Sequence, residues 1–107
     1  MHFGERIKEL REEKHLLQRQ LAASLEIDTP MYSKIERGDR KAKRDQVELL
    51  ATLLETDKRS LLSLWLAEQI LALVASDEHA LDALIIAEKS LKNSIRNKSN
   101  DSQRATR

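Results

Sequence analysis

Three residues, Glu26, Ile27 and Asp28, are all that separate two short amphipathic segments, Gln18 to Leu25 and Thr29 to Arg37. So short a link allows only a sharp corner between two helices, and the rest of the chain must accommodate that corner. Leu21, Leu25, Ile27, Tyr32 and Ile35 fall where they can form an inner face, with the small Ala22 where the helices approach closely. Thr29, Pro30, Ser33, Lys34 and Arg37 recur at helical spacing on the opposite side of the second segment, so they are predicted to face whatever the unit binds. Asp28 is placed to cap that segment, Pro30 is tolerated in a first turn whose N–H groups lack helical partners, and Gly38 supplies a left-handed end.

A chain of 107 residues has room for about one modest core. Leu and Ala are abundant, whereas only 2 Gly and 1 Pro occur, so propensity favours helix almost throughout. The expectation is an all-α fold without strands. No cysteine is present, which removes disulfides and thiolate metal sites and suits a reducing compartment. No apolar run approaches the roughly 20 residues that span a bilayer, and the N-terminal stretch is too charged for a signal peptide. A soluble, cytoplasmic protein without a membrane partner is expected. His15 has no second His or carboxylate at metal-ligand spacing and His79 reads as a first-turn helix residue, so no metal is assigned. There is no glycine-rich phosphate loop and no recognisable nucleophile and base, so neither a catalytic residue nor a cofactor is assigned.

Charge is distributed unevenly. Residues 1–33 hold five basic and six acidic side chains, residues 34–44 six and two, residues 45–88 two and nine, and residues 89–107 six and one. One basic cluster thus follows directly on the exposed helix face, where it suits a phosphate backbone. The other lies at the C-terminus.

Taken in order, Phe3, Ile7 and Leu10 give the first helix, to about Glu13, a single apolar stripe. After the corner unit comes DRKAKR, a basic loop, and then a helix from about Arg44 to Leu54 that turns Val47, Leu50, Ala51 and Leu54 inward. The stretch from Lys58 to Ala75 is apolar nearly all round and needs a covering partner. Ser76 can cap a last helix to about Ile95, and the polar tail is expected to be disordered from Lys98. The organisation expected is a domain over residues 1–57, its motif at 18–38, a helical extension over 58–97 and a basic tail over 98–107.

Residues 3 to about 57 resemble the Cro and phage-repressor helix-turn-helix family, also called Xre. The resemblance rests on FGERIKELR, on Q-x-x-LA at Gln18 to Ala22, on Y-S-K-I-E-R-G at Tyr32 to Gly38, and on VELLATLL at Val47 to Leu54. It implies a five-helix DNA-binding domain whose Thr29 helix enters the major groove. It also implies that Gln18 contacts phosphate, that Thr29, Pro30, Ser33 and Lys34 reach base edges, and that Arg37, Arg40, Lys41 and Lys43 grip the backbone. Lys34 is the first candidate for base reading, since Lys can donate to guanine O6 and N7. Arg11 and Glu36 match a pair that ties the first helix to the recognition helix. The sequence departs from the family where Glu26 replaces the usual corner Gly, where Leu17 replaces a Ser or Thr cap, and where Pro30 replaces a hydrogen-bonding side chain.

The function this implies is a sequence-specific regulator of transcription, a repressor or autoregulator, that binds a palindromic site in double-stranded DNA as a homodimer. Two recognition helices about 34 Å apart require a second subunit, and the apolar C-terminal helices are expected to supply its interface through Leu62, Trp65, Leu66, Ile70, Leu81, Leu84 and Ile85. A DNA-binding antitoxin and the controller of a restriction–modification locus share this pattern. A helical protein-interaction adaptor would use the same fold without binding DNA.

Overall fold

The computed structural model describes the backbone of residues 2–105 and the side chains as far as residue 98. The helices are α1 (Phe3–Glu13), α2 (Gln18–Ser24), α3 (Thr29–Arg37), α4 (Arg44–Leu53), α5 (Lys58–Val74) and α6 (Ala80–Ala105), with no strand among the described residues. The all-helical composition is thus expressed as helix.

One backbone device ends each of the first four helices. The residue after the last turn takes a left-handed conformation, at His15 (φ 57°), Glu26 (φ 58°), Gly38 (φ 82°) and Glu55 (φ 51°). The amide that follows then bonds back to a carbonyl five residues earlier, as Leu16 N does to Arg11 O (3.0 Å) and Ile27 N to Ala22 O (3.0 Å). Asp39 N to Lys34 O and Thr56 N to Ala51 O, both 2.9 Å, repeat the pattern. These bonds satisfy carbonyls that the helix end leaves without partners. Only one of the four sites carries the glycine that adopts this conformation freely. At each of the others a Cβ raises the energy by roughly 1–2 kcal/mol. Helix starts show a second regularity: Gln20 Oε1 accepts from Leu17 N (2.7 Å) and Gln46 Oε1 from Lys43 N (2.9 Å). Each is half of a capping box, and at Leu17 the other half, a side-chain acceptor for the first-turn amides, is missing.

By its contacts the chain divides into two units, Met1–Ala72 and Leu73–Arg107. In the first, Ile7, Tyr32, Ile35, Val47, Leu50 and Leu54 are the largest side chains fully out of water. All but Leu54, which directly follows α4, come from the apolar stripe of their own helix, so the helical period places them there. Gly4 brings α1 against the end of α3 backbone to backbone: a Cβ at Gly4 would lie 2.2 Å from the Glu36 carbonyl oxygen.

The start of α5, expected to open a separate extension at residue 58, packs on this same core. Leu61 is buried, and Leu62, Leu64 and Trp65 lie against the buried cluster. Trp65 Nε1 donates to the Ala42 carbonyl (2.8 Å) and Glu68 Oε1 accepts from Phe3 N (2.5 Å). The indole and the carboxylate therefore tie α5 to the loop after α3 and to the first turn of α1. Of the residues expected at a subunit interface, Leu62 and Trp65 thus serve their own domain, while Leu66 and Ile70 further along α5 are exposed.

In the second unit the last helix starts later than expected. Asp77, rather than Ser76, closes the turn before it, with Oδ1 accepting from His79 N (2.8 Å). Leu81 and Ile85 on α6 are exposed and Leu84 is half-buried. The disorder expected from Lys98 falls where α6 continues to Ala105, and residues 106 and 107 lie outside the described residues.

Two substitutions test this architecture by urea unfolding. Gly4→Ala is expected to destabilise by about 1–3 kcal/mol, the usual cost of overpacking, and a loss below about 0.5 kcal/mol would contradict the close approach of α1 to α3. Glu26→Gly is expected to stabilise by up to about 1 kcal/mol, because the relief of left-handed strain is partly offset by the greater freedom of the unfolded glycine.

Candidate nucleic-acid interface

The orientation of α3 is set from inside by one ion pair. Arg11 on α1 meets Glu36 on α3 side-on, with Nε donating to Oε2 (2.7 Å) and Nη2 to Oε1 (3.1 Å). The two parallel bonds fix direction as well as distance. Neighbours add one bond to each group: Arg11 Nη1 donates to the Leu16 carbonyl (2.9 Å) and Gln18 Nε2 to Glu36 Oε1 (3.1 Å). α1 and α2 thus both donate to one carboxylate of α3, whose side chain is 2% exposed, and the link between them is held through Arg11.

Burial by itself would push the Glu36 carboxyl towards protonation, but the donors from Arg11 and Gln18, with the Tyr32 hydroxyl close by, outweigh it and hold its pKa below the ordinary range. The hydrogen bonds to Glu36 correspondingly raise the pKa of Arg11 against the effect of burial. The Tyr32 hydroxyl is buried beside the pair without a well-formed hydrogen bond. Its pKa is pushed far up, by burial first and the close approach of the Glu36 carboxylate second. All three groups therefore keep their ordinary neutral-pH charge states.

The opposite face of α3 is open. Asp28 Oδ1 accepts from Met31 N (2.7 Å) and so fixes the first turn, where Thr29 and Pro30 are exposed. Lys34 is exposed one turn on and, among the described residues, makes no side-chain hydrogen bond or ion pair. Ser33 is half-buried, and its Oγ accepts from Arg37 Nη1 (3.0 Å), while Arg37 Nε donates to Asp39 (3.2 Å). Arg37 is consequently held along the helix end rather than swinging free. Lys34 and Arg37 also lie near the negative end of the α3 dipole, which favours cations there.

The loop from 39 to 43 adds Arg40, Lys41 and Lys43, all exposed. Its path is fixed from beneath, because Ala42 is buried and its carbonyl accepts from Trp65. Lys41 Nζ is 3.4 Å from Gln69 Oε1, so α5 steadies one basic side chain directly. Exposed Lys34, Arg37, Arg40, Lys41 and Lys43 thus belong to one helix face and the loop that continues from it. Gln18 stands apart: it lies at the start of α2, half-buried, with its amide donating inward to Glu36.

Sequence reasoning did not find the Gln18 to Glu36 bond, the Gly4 contact or the hold of Trp65 on Ala42. The Ser33 to Arg37 bond spans one helical turn and its spacing was legible. No spacing rule links residues 23 apart, as Trp65 and Ala42 are.

A helical corner that exposes the face of its second helix, followed by a clamped basic loop, is the arrangement of a helix-turn-helix unit. A family model described as a helix-turn-helix domain matches residues 2–65, and the chain belongs to that family. The match supports a DNA-binding regulator. No curated protein and no solved structure matches the chain. Among the described residues no helix is long and apolar enough to cross a membrane, and no His, Cys, Asp or Glu group is arranged to hold a metal ion.

The depressed pKa of Glu36 predicts a pH effect of definite sign. In the unfolded chain the group titrates near the ordinary glutamate value of 4.5, and in the folded chain below it. Between those values the unfolded state binds more protons, so stability from this group is complete above about pH 4.5 and is lost as pH falls through the folded pKa. The difference in unfolding free energy between the wild type and Glu36→Gln is expected to be constant at neutral pH and to shrink below pH 4.5. A difference that stays flat down to pH 3 would show that Glu36 is not held ionised by Arg11.

Proposed function

We propose that the protein is a sequence-specific transcriptional regulator of the Cro and phage-repressor type, a repressor or autoregulator that binds a palindromic operator as a homodimer. The observation that carries this reading is the exposed face of α3, with Lys34 unpaired among the described residues, on a helix whose angle is fixed by the Arg11 to Glu36 pair. Bases are read by Thr29, Pro30, Ser33 and Lys34, with Pro30 limited to apolar contact such as a thymine methyl. Phosphates are held by Gln18, Arg37, Arg40, Lys41 and Lys43. Because Gln69 already steadies Lys41, less side-chain freedom remains to be lost when that contact forms.

A homodimer is supported by the size of the reading surface and by the apolar side chains left exposed beyond it. One helix covers too few base pairs for useful specificity, and a second copy doubles them. Leu66, Ile70, Leu81, Leu84 and Ile85 supply the interface in this reading, with Leu62 and Trp65 acting from beneath, since their own core already uses them. The acidic excess of residues 45–88 suits a part of the molecule turned away from DNA.

Selection of bound duplexes from a random library, followed by salt titration of the recovered site, tests the proposal. A palindromic site is expected, with log K falling linearly against log salt. Lys34→Ala should relax base preference at one or two positions, whereas Lys41→Ala should weaken all duplexes alike and lower the salt slope by about 1. Uniform loss in both variants would remove Lys34 from base reading, and no duplex affinity at low salt would overturn the function.

A further inference from the structure

The described side chains of α6 carry two patterns that the reading of DNA does not use. The first is apolar: Leu81, Ile85, Leu91 and Ile95 are exposed along one side of the helix, with Ile86, also exposed, turned away from them by the helical period. Their spacing is symmetric about Glu88, with Leu81 and Ile95 seven residues to either side and Ile85 and Leu91 three. The second is electrostatic. From Ala80 to Glu88 the charged residues are Asp82 and Glu88, with no base, and from Lys89 to Lys98 they are Lys89, Lys92, Arg96 and Lys98, with no acid.

Each pattern narrows what can cover this helix. A uniformly basic partner is repelled by one half and a uniformly acidic one by the other. A partner that fits the whole length has mirrored charge and mirrored apolar spacing, and the same helix run backwards has both. We propose that α6 pairs antiparallel with α6 of a second copy of this chain, crossing at Glu88. Leu81 then meets the partner's Ile95, Ile85 meets the partner's Leu91, and each acidic half lies along a basic half. The contact is self-complementary, as an interface on a two-fold axis must be. A parallel pair would set Asp82 and Glu88 against their own copies, and the four bases likewise. At the crossing, each Glu88 is already neutralised within its own helix by Lys92 (2.7 Å), so two carboxylates approach there without an unpaired charge. This inference rests on the homodimer proposed above and adds which helix pairs and in which direction.

The chain has no cysteine, so single cysteines report the pairing in the full-length protein. Leu81→Cys and Ile95→Cys variants are purified reduced, checked for helix content, mixed and oxidised, and the disulfides are identified by mass spectrometry. Ile85→Cys mixed with Leu91→Cys repeats the measurement nearer the crossing, so that distortion at one position does not decide the result. The expected result is a mixture dominated by the 81–95 and 85–91 disulfides, with little cross-linking in any variant alone. Dominant 81–81 and 95–95 disulfides would mean a parallel pair and overturn the proposal. A chain that sediments as a dimer and binds its site, yet forms no α6 disulfide, would overturn this inference and leave the homodimer standing. A reduced chain that sediments as a monomer would overturn both.

Discussion

The buried pair of Arg11 and Glu36 is the contact on which the helix-turn-helix arrangement depends. Removing two charges from water costs several kcal/mol for each ion, and that cost is offset only where every donor and acceptor is engaged. Here the guanidinium meets both carboxylate oxygens and the Leu16 carbonyl, and the carboxylate also accepts from Gln18. The pair contributes direction more than net stability. An apolar substitute could fill the space, but it would not hold α3 at one angle, whereas two parallel hydrogen bonds weaken as soon as the helix rotates.

Around this pair the chain gives up some local comfort for tight geometry. Three non-glycine residues adopt the left-handed conformation so that α1, α2 and α4 can end abruptly, and Gly4 lets α1 lie against the backbone of α3. The strain is offset by what the sharp ends permit, namely four short helices whose apolar stripes all reach one core. Short helices are marginal alone, so their stability comes from that shared burial rather than from propensity. The outer face of α3 is consequently presented by a helix that the core holds through Tyr32 and Ile35, while Thr29, Pro30 and Lys34 stay exposed.

The fifth helix belongs to the same economy. Its first half buries Leu61 and clamps the loop through Trp65, and beyond that point Leu66, Ile70 and Leu71 are exposed. An all-round apolar helix therefore has a cause on one side and a demand on the other. In the second unit α6 is amphipathic, and over residues 80–98 its acidic residues precede its basic ones. In the function proposed above, both features put the subunit contact on helices other than α3.

Much of this was legible in local pattern. Helical period located the inner faces, Asp28 and Gly38 marked the ends of α3, and Glu26 stood out as a side chain required where glycine is easiest. The left-handed Glu55 left no such mark, because Glu does not favour that conformation, and His15 left only a weak one, His being merely enriched there. Nor did the start of α6 at Ala80, since Ser76 and Asp77 offer equivalent caps a residue apart. The sequence by itself determined the helices, the exposed recognition face and the basic loop beside it, because all three depend on spacing within a few residues. Only the tertiary structure decided that Gln18 turns inward to Glu36, that Gly4 admits the α3 backbone, and that Trp65 holds Ala42 rather than standing free. Those contacts join residues far apart in the chain, and no local period can announce a partner that only folding brings near.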